Sequence, residues 1–235
     1  MEDPVNDLKA FVTAGVVEDI RQIEETIGLY QEITTRASAI NESGLGPLFS
    51  RLQLISSRHA IVVSIRLFEP PHNRYPSRSI PTVLNHMRYT ADYLKIENRE
   101  AIINRLAEFG HDTTQFEGIP EPWITQLIRK EFADRLPDTT QPDSNALSSA
   151  LDALYSQRDR YVAHSEEVQI LREWQALESD IITLLEYARD FTETIGKGYL
   201  DKDYQLGDGD SVFRLDRERT VVMLRRLLEL AGISN

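Results

Sequence analysis

The chain has 235 residues, with 38 acidic and 26 basic side chains for a formal net charge of −12, and 41% of it is apolar. An apolar fraction near the globular average in a chain this long can bury most of its unfolded surface, which excludes a disordered tail or a small stapled domain and fits one domain over 1–235. With no cysteine, disulfides, thiolate metal sites and Cys nucleophiles are excluded, and the acidic total argues against a protein that coats nucleic acid indiscriminately.

Helical periodicity begins at once. Val12, Val16, Val17, Ile20, Ile23, Ile27, Tyr30 and Ile33 recur at three- and four-residue steps with acids between them, which predicts one long amphipathic helix over 6–40. Gly44 to Pro47 breaks it. A second helix, from about Leu48 to Phe68, is apolar on most of its circumference toward its end, so it should be packed on several sides. Its apolar run from Ala60 is interrupted by Ser64 and Arg66 and is far shorter than the roughly 20 residues of a membrane span. The opening Met1-Glu2-Asp3-Pro4 has no charged-then-apolar leader, so a soluble, cytoplasmic protein without a membrane partner is expected.

The Glu69-Pro70-Pro71 run stops the second helix. A third is predicted from Ser79 to about Leu94 with Pro81 in its first turn, a short one from an Asn98 cap to Gly110, and another from Pro120–Pro122 to Pro137. After a polar linker over 137–143, Ser144 or Asn145 caps a helix carrying Leu147, Leu151, Leu154, Tyr155 and Val162. A long helix follows from Glu166 to Ile195, then a Gly- and Asp-rich loop, then a final helix capped by Asp216 and ended by Gly232. No segment alternates as a strand does. The expected fold is all-α, an antiparallel bundle of long helices with a shorter-helix insertion around 70–140.

Metal and cofactor sites are not expected. The five histidines are dispersed, and the loop from Asp201 has Leu206 where a calcium loop needs Gly and Val212 where it needs Glu. Walker, dinucleotide and nucleophile-elbow motifs are absent from the sequence. Trp123 and Trp174 fall at helical apolar positions and are expected in the core.

The stretch Ser156-Gln157-Arg158-Asp159-Arg160-Tyr161-Val162-Ala163-His164 carries the chemistry. Histidine can accept and return a proton near neutral pH, and arginine is a permanent cation whose fork fits phosphate oxygens. These groups are what RNA transesterification requires: a base for the 2′-hydroxyl and a fixed positive charge for the phosphorane.

With five residues between Arg158 and His164 and the polar Asp159 after the arginine, the segment resembles the Arg…His signature of the HEPN (higher eukaryotes and prokaryotes nucleotide-binding) superfamily. Together with Arg58-His59-Ala60-Ile61-Val62-Val63-Ser64-Ile65-Arg66-Leu67-Phe68 it is similar to the abortive-infection, AbiU-like branch. The resemblance implies an all-α homodimer. In active members it implies a metal-independent endoribonuclease, toxin or antiphage effector, whose Arg and His from both subunits meet at the dimer interface. Arg158 and His164 are then catalytic, with Asp159 supporting them; Arg160, four residues before His164 and so on the same face of a helix, is read from the residues themselves as a phosphate contact. Toxin members that pair with an antitoxin often carry Tyr two residues after the histidine; here that residue is Glu166, so neutralisation through a tyrosine is not expected.

Arg66 to His72 and Arg105 to His111 share the same spacing, but the first is crossed by Pro70 and Pro71 and the second by Phe109-Gly110. In a straight helix six residues rotate by roughly 240° and rise about 9 Å, so Arg158 and His164 do not share a face. Either the helix bends or ends between them, or they converge across a dimer axis. The competing reading is a helix-end Arg-Asp-Arg surface cluster with His164 capping or packing, in a non-catalytic interaction or nucleotide-binding module.

Charge is unevenly spread. Residues 51–110 carry nine basic and five acidic groups, whereas residues 1–50 carry three and nine. Arg51, Arg58 and Arg66 lie within roughly 80° of one another on the second helix. That stripe either tracks an RNA backbone or pairs with the acidic first helix, and the charge on that neighbour favours pairing.

Overall fold

The structure, a computed structural model, describes residues 3–72, 77–138, 140–141, 144–164, 167–207 and 210–233; of 161–164 and 167–176 it describes the backbone alone. The described chain is helical, and its only β feature is an isolated bridge between Gln205 and Ser211. The helices are α1 (Pro4–Phe11), α2 (Val17–Thr35), α3 (Ala37–Glu42), α4 (Gly46–Leu67), α5 (Ile80–Thr90), α6 (Arg99–Glu108), α7 (Glu121–Ala133), α8 (Ala146–His164), α9 (Glu167–Tyr199) and α10 (Val212–Leu230). Among the described residues no helix is long and apolar enough to cross a membrane.

Local chemistry sets several helix starts. The Asp3 carboxylate accepts from the Val5 amide (3.0 Å) ahead of Pro4, Ser79 caps α5 ahead of Pro81, and Asn98 accepts from Ala101 (3.0 Å). Asn145 accepts from Ser148 (2.8 Å) at the start of α8. Each side-chain oxygen satisfies an amide that has no partner within its helix. At the other end of α10, Gly232 takes φ +79° and the Ile233 amide reaches back to the Leu228 carbonyl (2.9 Å), a turn that glycine adopts without strain.

The expected single helix over 6–40 is three. A π-turn over Val12–Val16 joins α1 to α2, and the Ala14 carbonyl within it accepts from Arg78 Nη1 (3.0 Å). Gly15 is required there, since a Cβ would lie 2.7 Å from the Arg78 carbonyl oxygen. At Arg36 the backbone leaves helical geometry (φ −102°, ψ 16°), and the buried guanidinium folds onto Glu32 (2.6 Å). Asp216 does not cap the final helix. It lies inside α10, buried, and accepts from Arg21 Nε of α2 (3.0 Å); Ser211 holds the cap position.

Helix directions follow from paired residues. Asp19 with Arg66, and Thr34 with Gln53, make α2 and α4 antiparallel. Gln31 with Glu178, and Glu24 with Arg189, make α9 antiparallel to α2. The pairs Arg21–Asp216, Glu24–Arg217 (2.7 Å), Glu32–Arg225 (3.1 Å) and Arg36–Glu229 (3.7 Å) rise together, so α10 runs parallel to α2. Gly28 lets the two backbones close, because a Cβ there would lie 2.7 Å from the Arg217 carbonyl oxygen.

One apolar core joins Ile20, Ile23 and Ile27 of α2, Ile61 and Ile65 of α4, and Leu184, Ala188, Phe191 and Ile195 of α9. The shorter helices between 80 and 133 belong to it too, through Val83 and Met87, Ile102 and Leu106, and Phe132, whose ring meets Phe109, Tyr187 and Phe191 edge-on. Trp123 is not in that core. It is 60% exposed, because the buried stripe of α7 is Ile124, Ile128 and Phe132, one position round the helix.

Candidate functional site

The candidate site is the C-terminal half of α8. This helix packs against α9, to which it is joined by a two-residue link, and against α4. It is therefore antiparallel to α9 and also to α4. The Tyr155 hydroxyl lies within electrostatic reach of Glu69, just past the end of α4. From that level α8 runs back along the helix that carries Arg66 and Arg58.

Arg158 is held by its own helix. Its Nε and Nη2 both donate to Asp159 Oδ1 (3.0 and 2.8 Å), and its guanidinium carbon lies 4.7 Å from the centre of the Tyr155 ring. Burial pushes the Tyr155 hydroxyl above its ordinary pKa; the Arg158 charge opposes that, and Glu69 and Asp159 reinforce it. Tyr155 escaped the reading of the sequence as a site residue, although its position three before Arg158 on one helix is a usable signal. Arg158 remains 37% exposed, Asp159 is exposed, and Arg160 is exposed with no acid paired to it among the described residues.

His164 is the last residue of α8, and its side chain lies outside the described residues, as does that of Trp174. Helix α8 is unbroken from Arg158 to His164, so it does not end between them. Within one copy their backbone positions are therefore roughly 240° apart round the helix.

On α4, the structure pairs Arg66 with a carboxylate of the acidic first helical segment. Arg66 Nε donates to Asp19 Oδ2 (2.9 Å) and Nη2 to Oδ1. Asp19 is buried, and desolvation raises its pKa despite the Arg66 hydrogen bonds and charge that oppose the shift. Arg58 is partly buried on the same helix, and Arg51 is exposed nearer its start.

The two other Arg-to-His spacings are structural. Arg105 bridges Glu108 and Asp190 and stacks on Phe109 (4.4 Å), while His111 Nε2 meets Glu131 (2.9 Å). Arg66 is occupied by Asp19, and His72 is exposed beyond the helix end. A cleft of about 400 Å³ between α6 and α9 is lined by Glu100, Glu108, Asp190, Glu193 and Asp203 against Arg105 and Lys197, an excess of acid unsuited to a polyanion. No three His, Cys, Asp or Glu side chains converge as a metal site among the described residues.

No family model matches the chain, and neither a curated protein nor a solved structure does.

Proposed function

We propose that this protein is a metal-independent endoribonuclease of the HEPN type, cleaving single-stranded RNA as a homodimer in the role of a toxin or antiphage effector. The observation that supports the reading best is Arg158, a cation positioned by Asp159 and Tyr155 but still open to solvent, on the same unbroken helix as His164. In the proposed reaction the His164 imidazole takes the proton of a ribose 2′-hydroxyl, and the oxygen attacks the adjacent phosphorus. The bond to the 5′-oxygen breaks, that oxygen takes the proton back from the imidazolium, and a 2′,3′-cyclic phosphate and a 5′-hydroxyl remain. Arg158 exchanges Asp159 for a phosphorane oxygen, where a fixed charge counts most. Arg160, exposed two residues on, contacts a neighbouring phosphate.

The two helix faces of Arg158 and His164 make two copies of α8 a requirement of this reading, meeting across a twofold axis. The test is cleavage of single-stranded RNA in excess chelator by the wild type, Arg158→Ala and His164→Ala. Cleavage by the wild type with a drop of 100-fold or more in both variants is expected on the scale of general acid–base and oxyanion-type contributions. Equal rates in all three would remove the site. No cleavage by any of them would favour a non-catalytic interaction or nucleotide-binding module.

A further inference from the structure

Three large aromatic side chains stand exposed on neighbouring elements away from the C-terminal half of α8: Tyr89 (70%) on α5, Tyr93 (60%) just after it and Trp123 (60%) on α7. Two hydrogen bonds bring them to one level. The Ile96 amide donates to Glu121 Oε2 (3.0 Å) and Gln126 Nε2 donates to the Arg88 carbonyl (2.8 Å), so α7 runs antiparallel to the segment 88–96. Trp123 lies between Glu121 and Gln126, and Tyr89 and Tyr93 lie between Arg88 and Ile96. The backbones under them are anchored by buried Ala91, Leu94, Ile96, Ile124 and Ile128.

What surrounds the rings is polar rather than aliphatic. Arg88 is exposed, its guanidinium carbon 5.6 Å from the Tyr89 ring centre, with no ion pair among the described residues. Arg129 donates to Gln126 Oε1 (3.0 Å) and Asn85 is exposed nearby; the exposed Lys95 is paired with Glu97 (3.2 Å), and one acid, Asp92, is exposed between the two tyrosines. A groove for a partner helix needs continuous apolar walls, whereas separate aromatic faces with cationic and amide edges suit flat heteroaromatic rings joined by anions. Both tyrosines and Arg88 also belong to the basic segment 51–110 of an otherwise acidic chain.

We infer that Tyr89, Tyr93 and Trp123, with Arg88, form a stacking platform for the bases of single-stranded nucleic acid. The platform is separate from the candidate catalytic helix. Thr125 accepts a hydrogen bond from Tyr199 (3.0 Å) at the C-terminal end of α9, whereas α8 meets the N-terminal end of that helix. With 33 residues, α9 spans about 50 Å.

The test is fluorescence anisotropy of a labelled 2′-O-methyl oligouridylate hexamer, which cannot undergo transesterification. Binding by the wild type is expected, weakened about tenfold or more in Trp123→Ala and in Tyr93→Ser, the loss of one stacked base, and largely restored in Trp123→Phe. Circular dichroism checks that each variant is folded. Absence of binding by the wild type, or equal binding by a folded Trp123→Ala, Tyr93→Ser double variant, overturns the platform. Capture of a protein partner on this face in place of the oligonucleotide overturns it too. Cleavage is read separately: binding that depends on Trp123 without any cleavage keeps the platform and removes the nuclease, and cleavage with Trp123-independent binding does the reverse.

Discussion

Two guanidinium groups converge on the buried carboxylate of Glu32: Arg36 Nε at 2.6 Å from within α2, and Arg225 Nη2 at 3.1 Å from α10. The hydrogen bonds from Arg225, reinforced by Arg36 and opposed by burial, hold its carboxyl below the usual glutamate range. A carboxylate whose pKa is lower folded than unfolded adds stability that is present above the unfolded value of 4.5 and is lost as pH falls below it. Asp19 and Asp190 behave oppositely, because burial raises both, and acid relieves rather than weakens them. The Glu32→Gln variant should therefore be less stable than the wild type near neutrality, with the gap closing as pH drops below 4.5. Urea unfolding at a series of pH values measures it; a gap that stays constant through the acid range would show that Glu32 acts through packing alone.

At the scale of elements, what could be read from the sequence was what neighbouring residues decide. Asn98 and Asn145 cap their helices because the amides they satisfy are three residues away. The Arg158–Asp159–Arg160 cluster was likewise visible as a string. Asp216 resembled a cap for the same local reason, and its true partner, Arg21, is 195 residues distant. Trp123 shared a helical step with Leu127, so periodicity placed it inward, yet the neighbouring stripe of Ile124, Ile128 and Phe132 took the core. The π-turn at Val12–Val16 leaves the apolar period almost intact, which is why α1 and α2 were expected as one helix. The approach of α2 to α10 rests on Gly28, which local patterning does not single out. Gly28→Ala should destabilise the fold by about 1–3 kcal/mol, because the new methyl group meets a backbone carbonyl that cannot turn aside. Guanidinium unfolding checks this, and a neutral result would mean that α10 can slide along α2.

For the whole molecule, the decisive question is whether Arg158 and His164 act together across two copies. One unbroken helix presents them on different faces, so in the proposed dimer the arginine of one protomer serves the histidine of its partner. Two inactive variants then complement each other. Mixing Arg158→Ala with His164→Ala under conditions that exchange subunits puts an intact pair at one of the two sites in each mixed dimer. Random mixing should restore about one quarter of wild-type cleavage. A mixture as inactive as its components would place both residues of any working site within one protomer, or show that no dimer forms.

The parallel seating of α10 on α2 also bears on how the protein is made. As the chain leaves the ribosome, α2 emerges early, and the arginines of α10 that satisfy Glu24 and Glu32 follow 193 residues later. At bacterial or eukaryotic elongation rates that interval is roughly ten to forty seconds. Throughout it, α2 carries carboxylates on the face that α10 will cover; Arg36 is beside Glu32 from the start, whereas Glu24 waits first for Arg189 of α9 and then for Arg217. The pairing of α2 with α10 thus joins segments 193 residues apart, and this part of the fold waits on the synthesis of α10.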